Sequence, residues 1–390
     1  MACDAGVVWD EGYLTYDFGE HPMNPIRLDL TMRLARELGV LDRVTLVEPQ
    51  PADDSQLRLA HDQDYLEAVR TAGADLRFTG YGLGTDDDPV FAGIFEASAL
   101  IAGGSRVAAE LITSGRFQHA VNIAGGLHHA MRNYASGFCV FNDVVVAIRT
   151  MQSAGVKRIA YVDIDVHHGD GVQAAFYEDP NVLTMSIHQD PRTLFPGTGM
   201  PDELGANEAV GSAINLALPP GTKDAGWLRG FRAVVPGALR AFRPDVIVTQ
   251  CGCDTHHEDP LANLELTVDG QRAAIEELHR LAHEVSGGKW LAVGGGGYGV
   301  IRCVPRTWTN LIATASGVPV DPWTSIPDGW KAHLRSLGAR GDLPTEMGER
   351  ALPEVQPWMP GGDSWLDRAI GATRNAAYPL LGLDPDDPRD

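Results

Sequence analysis

Apolar positions along the chain follow two rhythms that take turns. In IRLDLTMRLARELGV (26–40) apolar residues recur at helical spacing and the run stops at Gly39, so it predicts a helix. FQHAVNIAGG (117–126) is a short apolar run cut off by glycines and predicts a strand. NDVVVAIRTMQSAG (142–155) opens on Asn142, a helix-capping type, and closes on Gly155. A strand over 157–166, a helical GVQAAFYED and a strand over 181–189 follow. The strand–helix–strand order returns in 244–254, 269–285 and 289–297. This alternation predicts an α/β fold with a parallel sheet and helices on both faces. The longest apolar stretch, 91–113, carries Glu96, Arg106 and Glu110, which suits a core helix and not a membrane span. From about residue 318 the periodicity fades. Residues 1–317 are therefore expected to form the main domain, and 318–390 an extension that docks on it through its tryptophans and then frays.

Composition narrows the classes. The 390 residues, 44% of them hydrophobic, supply material for a large core. The 44 glycines and 25 prolines are scattered, which predicts tight loops and not disorder. A net charge of −21 and a pI of about 4.9 repel phosphate backbones and anionic lipid surfaces, so neither nucleic acid nor a membrane is an expected partner. Five cysteines (Cys3, Cys139, Cys251, Cys253, Cys303) are odd in number and contain no C-x-x-C pair. Reduced thiols in the cytoplasm are the expectation. The opening MACDAGVVWDEGY has early acid and no basic segment, so it is not expected to be a signal peptide.

The chemistry collects where strands are predicted to end. In an open parallel sheet, ligands bind beyond the carboxyl ends of the strands. Four such ends are loaded: GGLHH (125–129), DIDVHHGDG (163–171), CGCD (251–254) and GGGGYG (294–299). If the strand over 157–166 continues, residues two apart share a face, and Asp163, Asp165 and His167 align. Burying such carboxylates requires compensation, and a metal ion supplies it. Asp165 and His167 offer two ligands from one strand end and Asp254 a third from another. Three oxygen-rich ligands leave positions open, as in a catalytic site. Taken singly, each pair reads as ordinary turn and capping residues. Four loaded ends on one rim read as a site. His128 and His129 are candidate acid–base groups, each needing a carboxylate on its far nitrogen, a place Asp163 and Asp170 can fill. GGGGYG lacks the spacing of a phosphate-binding loop; its glycines admit close backbone approach and present Tyr298, whose phenol suits an oxyanion. A rival metal cluster is His256 and His257 with Glu258 and Asp259.

GGLHHA, ASGFCVFND, DIDVHHGDGV, SIHQ, LFPGTG, CGCDTHHEDPL and GGGGYG occur in that order. Together they resemble the signature blocks of the zinc-dependent histone deacetylase family over about residues 5–315, most closely its bacterial branch tied to acetoin utilisation. The resemblance implies the arginase–deacetylase α/β fold with a central eight-stranded parallel sheet. It implies metal ligands Asp165, His167 and Asp254 and the tandem histidines His128 and His129 with partners Asp163 and Asp170. Tyr298 then polarises the carbonyl. Gly137, Phe138, Phe195 and Leu261 resemble the walls around an acyl-lysine stem, Asp87 the rim aspartate within Asp86–Asp88, and Arg27 the arginine of an inner cavity. Main-chain oxygens of Asp163, Asp165 and His167, with Ser186 and Ile187, would hold a structural potassium ion. Zinc is the implied catalytic metal, with ferrous iron as its alternative. Cys253 stands where the family often has alanine, and Leu194 where many members have an aromatic residue; both bear on channel width.

The implied reaction is hydrolysis of N-acetyl-lysine side chains on a protein. The acetoin-utilisation likeness points to acetyl-CoA synthetase as the acetylated partner. Three rival readings exist: a small-molecule amidohydrolase such as an acetylpolyamine deacetylase, an arginase-like two-metal hydrolase, and a catalytically silent acyl-lysine binder.

Overall fold

The computed structural model describes residues 4–349 and 352–389; Cys3 lies outside them. Eight strands form one sheet: β1 (Ala5–Val8), β2 (Thr45–Val47), β3 (His119–Asn122), β4 (Ile159–Asp163), β5 (Val182–Gln189), β6 (Ala213–Leu218), β7 (Val246–Gln250) and β8 (Trp290–Val293). Their order is β2-β1-β3-β8-β7-β4-β5-β6, and every pairing is parallel. This is the eight-stranded α/β sheet that the resemblance implies. The four central strands bury every residue, which explains their continuous apolar runs.

The helices are α1 (Ile26–Glu37), α2 (Asp54–Leu57), α3 (Gln63–Ala74), α4 (Ile94–Thr113), α5 (Asp143–Ser153) and α6 (Asp170–Phe176), then α7 (Asp224–Phe242), α8 (Val268–Val285), α9 (Val304–Ala315), α10 (Asp328–Ser336) and α11 (Trp365–Ala377). Packing joins α3, α4, α5 and α6 into one layer and α1, α9, α8, α7 and α11 into the other. The apolar stretch at 91–113 is the core helix α4. Among the described residues no helix is long and apolar enough to cross a membrane.

Two expectations need correction. The central strands are shorter than their apolar runs: the strand expected over 244–254 stops at Gln250 and that over 289–297 at Val293. Their glycine-rich tails leave the ladder and turn toward the rim. The segment after 318 also contains two amphipathic helices, so the periodicity expected to fade there persists within them. Both are held by docking. Trp330 on α10 is fully buried and donates its indole N–H to the Leu30 carbonyl at 2.9 Å. On α11, Thr373 bonds the Asn215 carbonyl at 2.7 Å, tying the helix to β6. The tail expected to fray is instead gathered by Arg374, whose guanidinium collects the carbonyls of Asp384, Pro385 and Asp387.

Candidate active site

The four chemically loaded ends belong to β3, β8, β7 and β4, which are consecutive in the sheet. Parallel pairing brings all four carboxyl ends to one rim. The strand alternation proposed for Asp163, Asp165 and His167 is not what aligns them. β4 ends at Asp163, and the next residues form a turn braced by carboxylates. Asp163 accepts the Asp165 N–H at 3.1 Å, Asp165 the His167 N–H at 3.0 Å, and Asp254 the Val166 N–H at 2.9 Å. These bonds satisfy main-chain donors that have left the ladder inside the protein.

Asp165, His167 and Asp254 are buried, and their ligand atoms lie within 4.8 Å of one another. His167 Nδ1 sits 3.1 Å from Asp165 and 3.2 Å from Asp254. Two glycines make the cradle: a Cβ on Gly296 would fall 1.9 Å from Asp254 Oδ2, and one on Gly252 2.1 Å from Asp165 Oδ2. Burial, then the neighbouring Asp165, pushes the Asp254 carboxyl up to about 8. Burial disfavours a charged His167, but the two carboxylates outweigh it and lift the ring to about 10. The pocket therefore draws positive charge onto its centre. Two carboxylates and one imidazole fit a zinc-like divalent ion with coordination positions to spare.

Beside this group stand the two histidines. His128 Nδ1 donates to Asp163 at 2.7 Å, and His129 Nδ1 to Asp170 at 2.6 Å. Their Nε2 atoms are 3.0 Å apart, a contact that needs one proton between them. Burial works against charge on both rings. At His128, Asp163 and Asp165 overcome it and raise the ring to about 9. At His129 the neighbouring His128 adds to burial and lowers the ring to about 4. The proton accordingly belongs to His128, and His129 Nε2 presents a lone pair. Asp163 is further fixed by the Tyr161 hydroxyl, and Asn142 Nδ2 ties down the His128 and Ala130 carbonyls.

Aromatic rings surround the pair. Phe195 meets His129 at 5.0 Å and His167 at 6.3 Å between centroids. Phe138, which follows Gly137 in a turn where both have positive φ, meets Tyr298 edge-on at 5.7 Å. Burial, then Asp254 and Asp165, holds the Tyr298 phenol well above its ordinary value, so it stays a proton donor. Leu261 is half-buried on the loop after Asp254. Asp87 is exposed on a loop close to His21, which packs on Phe138 at 4.5 Å. Asp88 in the same triplet is buried instead, beneath the Phe138 turn. Arg27 lies under the glycine loop, donating to the carbonyls of Gly295 at 2.8 Å and Gly297 at 3.2 Å. Ser186 is the register partner of Asp163 across β4 and β5, with Ile187 buried next to it.

The rival cluster is regrouped: His256 and His257 stay together, ring centroids 4.3 Å apart, and gather Glu349 in place of Glu258 and Asp259 into a group whose ligand atoms lie within 4.8 Å of one another. His256 pairs with Glu349 at 3.0 Å, Glu258 with Arg302 at 2.9 Å, and Asp259 turns to main-chain donors. Two contributors were not foreseen, and a third, Asp259, was expected only as a ligand of the rival cluster. Gln250 donates to Asp165 at 2.7 Å from the end of β7. Asp143 accepts the N–H groups of Gly126 and Leu127, anchoring the loop that carries both histidines. Asp259 accepts the Tyr298 N–H at 2.9 Å. Asp143 looks like a first-turn helix acid in sequence, and only its deep burial distinguishes it.

Comparison with known proteins agrees with this geometry. The Histone deacetylase domain family matches residues 21–315. The chain is 43% identical over 332 residues to the acetoin utilization protein AcuC of Bacillus subtilis (strain 168), covering 84% of this chain and 85% of the relative. It is 35% identical over 354 residues to the AcuC of Staphylococcus xylosus, covering 90% and 91%. The chain belongs to the histone deacetylase family, a family of metal-dependent deacetylases.

Proposed function

We propose that the protein hydrolyses the acetyl-amide of N-acetyl-lysine side chains in proteins, with zinc or ferrous iron at Asp165, His167 and Asp254. The observation that carries this reading is the pair of facing imidazoles, each on its own carboxylate, against that ligand group and inside aromatic walls. A divalent ion held there supplies Lewis acidity and lowers the pKa of water. His129 Nε2, the neutral member of the pair, takes a proton from the attacking water and delivers it to the departing lysine nitrogen. Asp170 keeps that ring in the tautomer with its lone pair on Nε2, which must leave its contact with His128 to receive the water's proton. His128, cationic between Asp163 and His129, stabilises negative charge on the substrate oxygen. Tyr298 donates its phenolic proton to the same oxygen as charge builds. Gly137, Phe138, Phe195 and Leu261 flank the acyl-lysine stem, and Asp87 meets the substrate main chain. Arg27 holds the glycine loop that positions Tyr298. The carbonyls of Asp163, Asp165 and His167, with Ser186 and Ile187, are assigned to a potassium ion bracing the ligand turn.

The test is acetate release from an acetyl-lysine peptide by metal-stripped enzyme, with zinc or ferrous iron restored one at a time. Recovery with either ion supports the reading. Faster turnover of acetylpolyamines would redirect it to small molecules, which the charge of −21 would attract. Tight binding with no acetate released would leave a binder. Acetylated acetyl-CoA synthetase is the first protein substrate to try.

A further inference from the structure

α8 carries a histidine pair that the active site does not use. ELHRLAHEV places His279 and His283 four residues apart, so both rings project from one side of the helix. His119, the first residue of β3, meets them. Its ring centroid lies 4.7 Å from that of His279 and 5.1 Å from that of His283. One ligand nitrogen from each of the three falls within 4.8 Å of the others. The cluster sits at the amino end of β3, so the catalytic histidines, which follow the carboxyl end of that strand, occupy the opposite rim.

His119 is fully buried. Its Nδ1 lies 2.6 Å from the Ala315 carbonyl, which can only accept, so Nδ1 bears the hydrogen. Nε2 is then a bare lone pair, and it has no hydrogen-bond partner among the described residues. An imidazole whose outer N–H is tied to a main-chain carbonyl while its inner nitrogen is left to ligate is the usual setting of a metal-binding histidine. The His279 and His283 Nε2 atoms are 3.1 Å apart. Two nitrogens sharing a tetrahedral zinc at bonds of 2.0–2.1 Å lie about 3.3 Å apart. His279 is half-buried and His283 exposed, so the group lies at the surface, within reach of an ion from solvent.

We infer that His119, His279 and His283 form a second metal site, for one borderline divalent ion of the zinc, cobalt, nickel or copper type, clasping α8 to β3. Three neutral imidazoles suit those ions and not magnesium or calcium. No carboxylate belongs to this group, so it differs in ligand chemistry from the catalytic group. A clasp that binds only the folded chain stabilises it by mass action.

The test begins with enzyme already holding its catalytic ion. Zinc is added, free metal is removed by gel filtration, and ions per chain are counted by mass spectrometry for wild type and His283→Ala. The variant should hold one ion fewer, lose the rise in melting temperature that added zinc gives wild type, and release acetate at the wild-type rate. Nickel titration gives an independent readout. Trp290 packs on His119 at 5.6 Å and His279 at 5.5 Å, so bound nickel should quench tryptophan emission in wild type and not in His283→Ala or His279→Ala. Equal ion counts and equal quenching in wild type and variants would overturn the site. If the Asp165–His167–Asp254 group held no ion, wild type would carry one ion in place of two, and His283→Ala would still remove it. The site also bears on a two-metal reading of the enzyme. A second ion lost through His283→Ala belongs to this clasp and not to a dinuclear catalytic centre.

Discussion

The Asp259 carboxylate accepts the main-chain N–H of Tyr298 at 2.9 Å and that of Leu261 at 3.0 Å. One buried side chain thus sets the loop after β7 and the glycine loop after β8 against each other. A hydrogen bond to a charged acceptor contributes about 1.5–3 kcal/mol. Asp259→Asn keeps a single acceptor oxygen and so releases one of the two loops. We expect kcat to fall by roughly 10-fold or more, with metal content unchanged. Steady-state kinetics on an acetyl-lysine peptide, alongside metal analysis, decides it; an unaltered kcat would remove Asp259 from the positioning of Tyr298.

Tyr298→Phe deletes the phenolic donor and leaves the ring against Phe138. Loss of one oxyanion donor costs about 100- to 1,000-fold in kcat. The ion count should not move. If Asp259 acts only through Tyr298, the Asp259→Asn/Tyr298→Phe double variant should be no slower than Tyr298→Phe, because residues acting in series are not additive. A double variant slowed by the product of the two single effects would show separate roles.

The resting place of the metal makes a third expectation. Asp254→Asn keeps the size of the side chain and removes one anionic ligand. It should lower the ion count by one per chain and abolish acetate release, while leaving the fold intact, since Asn can still accept the Val166 N–H. An Asp254→Asn enzyme that keeps its full metal content would mean the ion is held elsewhere.

Much of this site was legible because its chemistry is dense. Asp163, Asp165, His167 and Asp170 lie within eight residues, and an apolar run leads straight into them. Runs of that kind have no use on a surface. The supporting residues were not legible for the opposite reason. Gln250 and Asp143 are single polar residues, each meeting its partner across a long sequence gap, and Asp259 stood out only as part of a histidine–acid run, its bond to the Tyr298 N–H set by the fold. Only the sheet order, which sets β7 between β4 and β8, brings Gln250 to Asp165. The strands were over-extended because apolar and glycine residues past Gln250 and Val293 are buried just as strand residues are. Burial shapes the pattern whether or not the backbone is in the ladder. α10 and α11 are amphipathic at helical spacing and dock that apolar side on α1, α7 and β6; they escaped detection because the prolines and glycines around them break the segment into short runs.

The last expectation concerns acid stability, and it isolates one carboxylate of the extension. Glu349 accepts from His256 Nε2 at 3.0 Å and from the Arg306 guanidinium, and its own N–H donates to Asp269 at 2.7 Å. Burial opposes its charge, but His256 and Arg306 outweigh burial and hold the carboxyl down at about 2. A free glutamate titrates near 4.3. Because the folded value is the lower one, the unfolded chain binds the extra proton as the medium acidifies. The stabilisation is therefore complete above about pH 4.5 and drains away as pH falls toward 2. A shift of this size corresponds to about 2–3 kcal/mol. Glu349→Gln should thus be clearly less stable than wild type in urea unfolding at pH 7. The gap should narrow steadily at pH 4 and pH 3, because protonation turns the wild-type side chain into a neutral group like that of the variant. A gap that stays constant down to pH 3 would show that packing, and not charge, anchors this part of the extension.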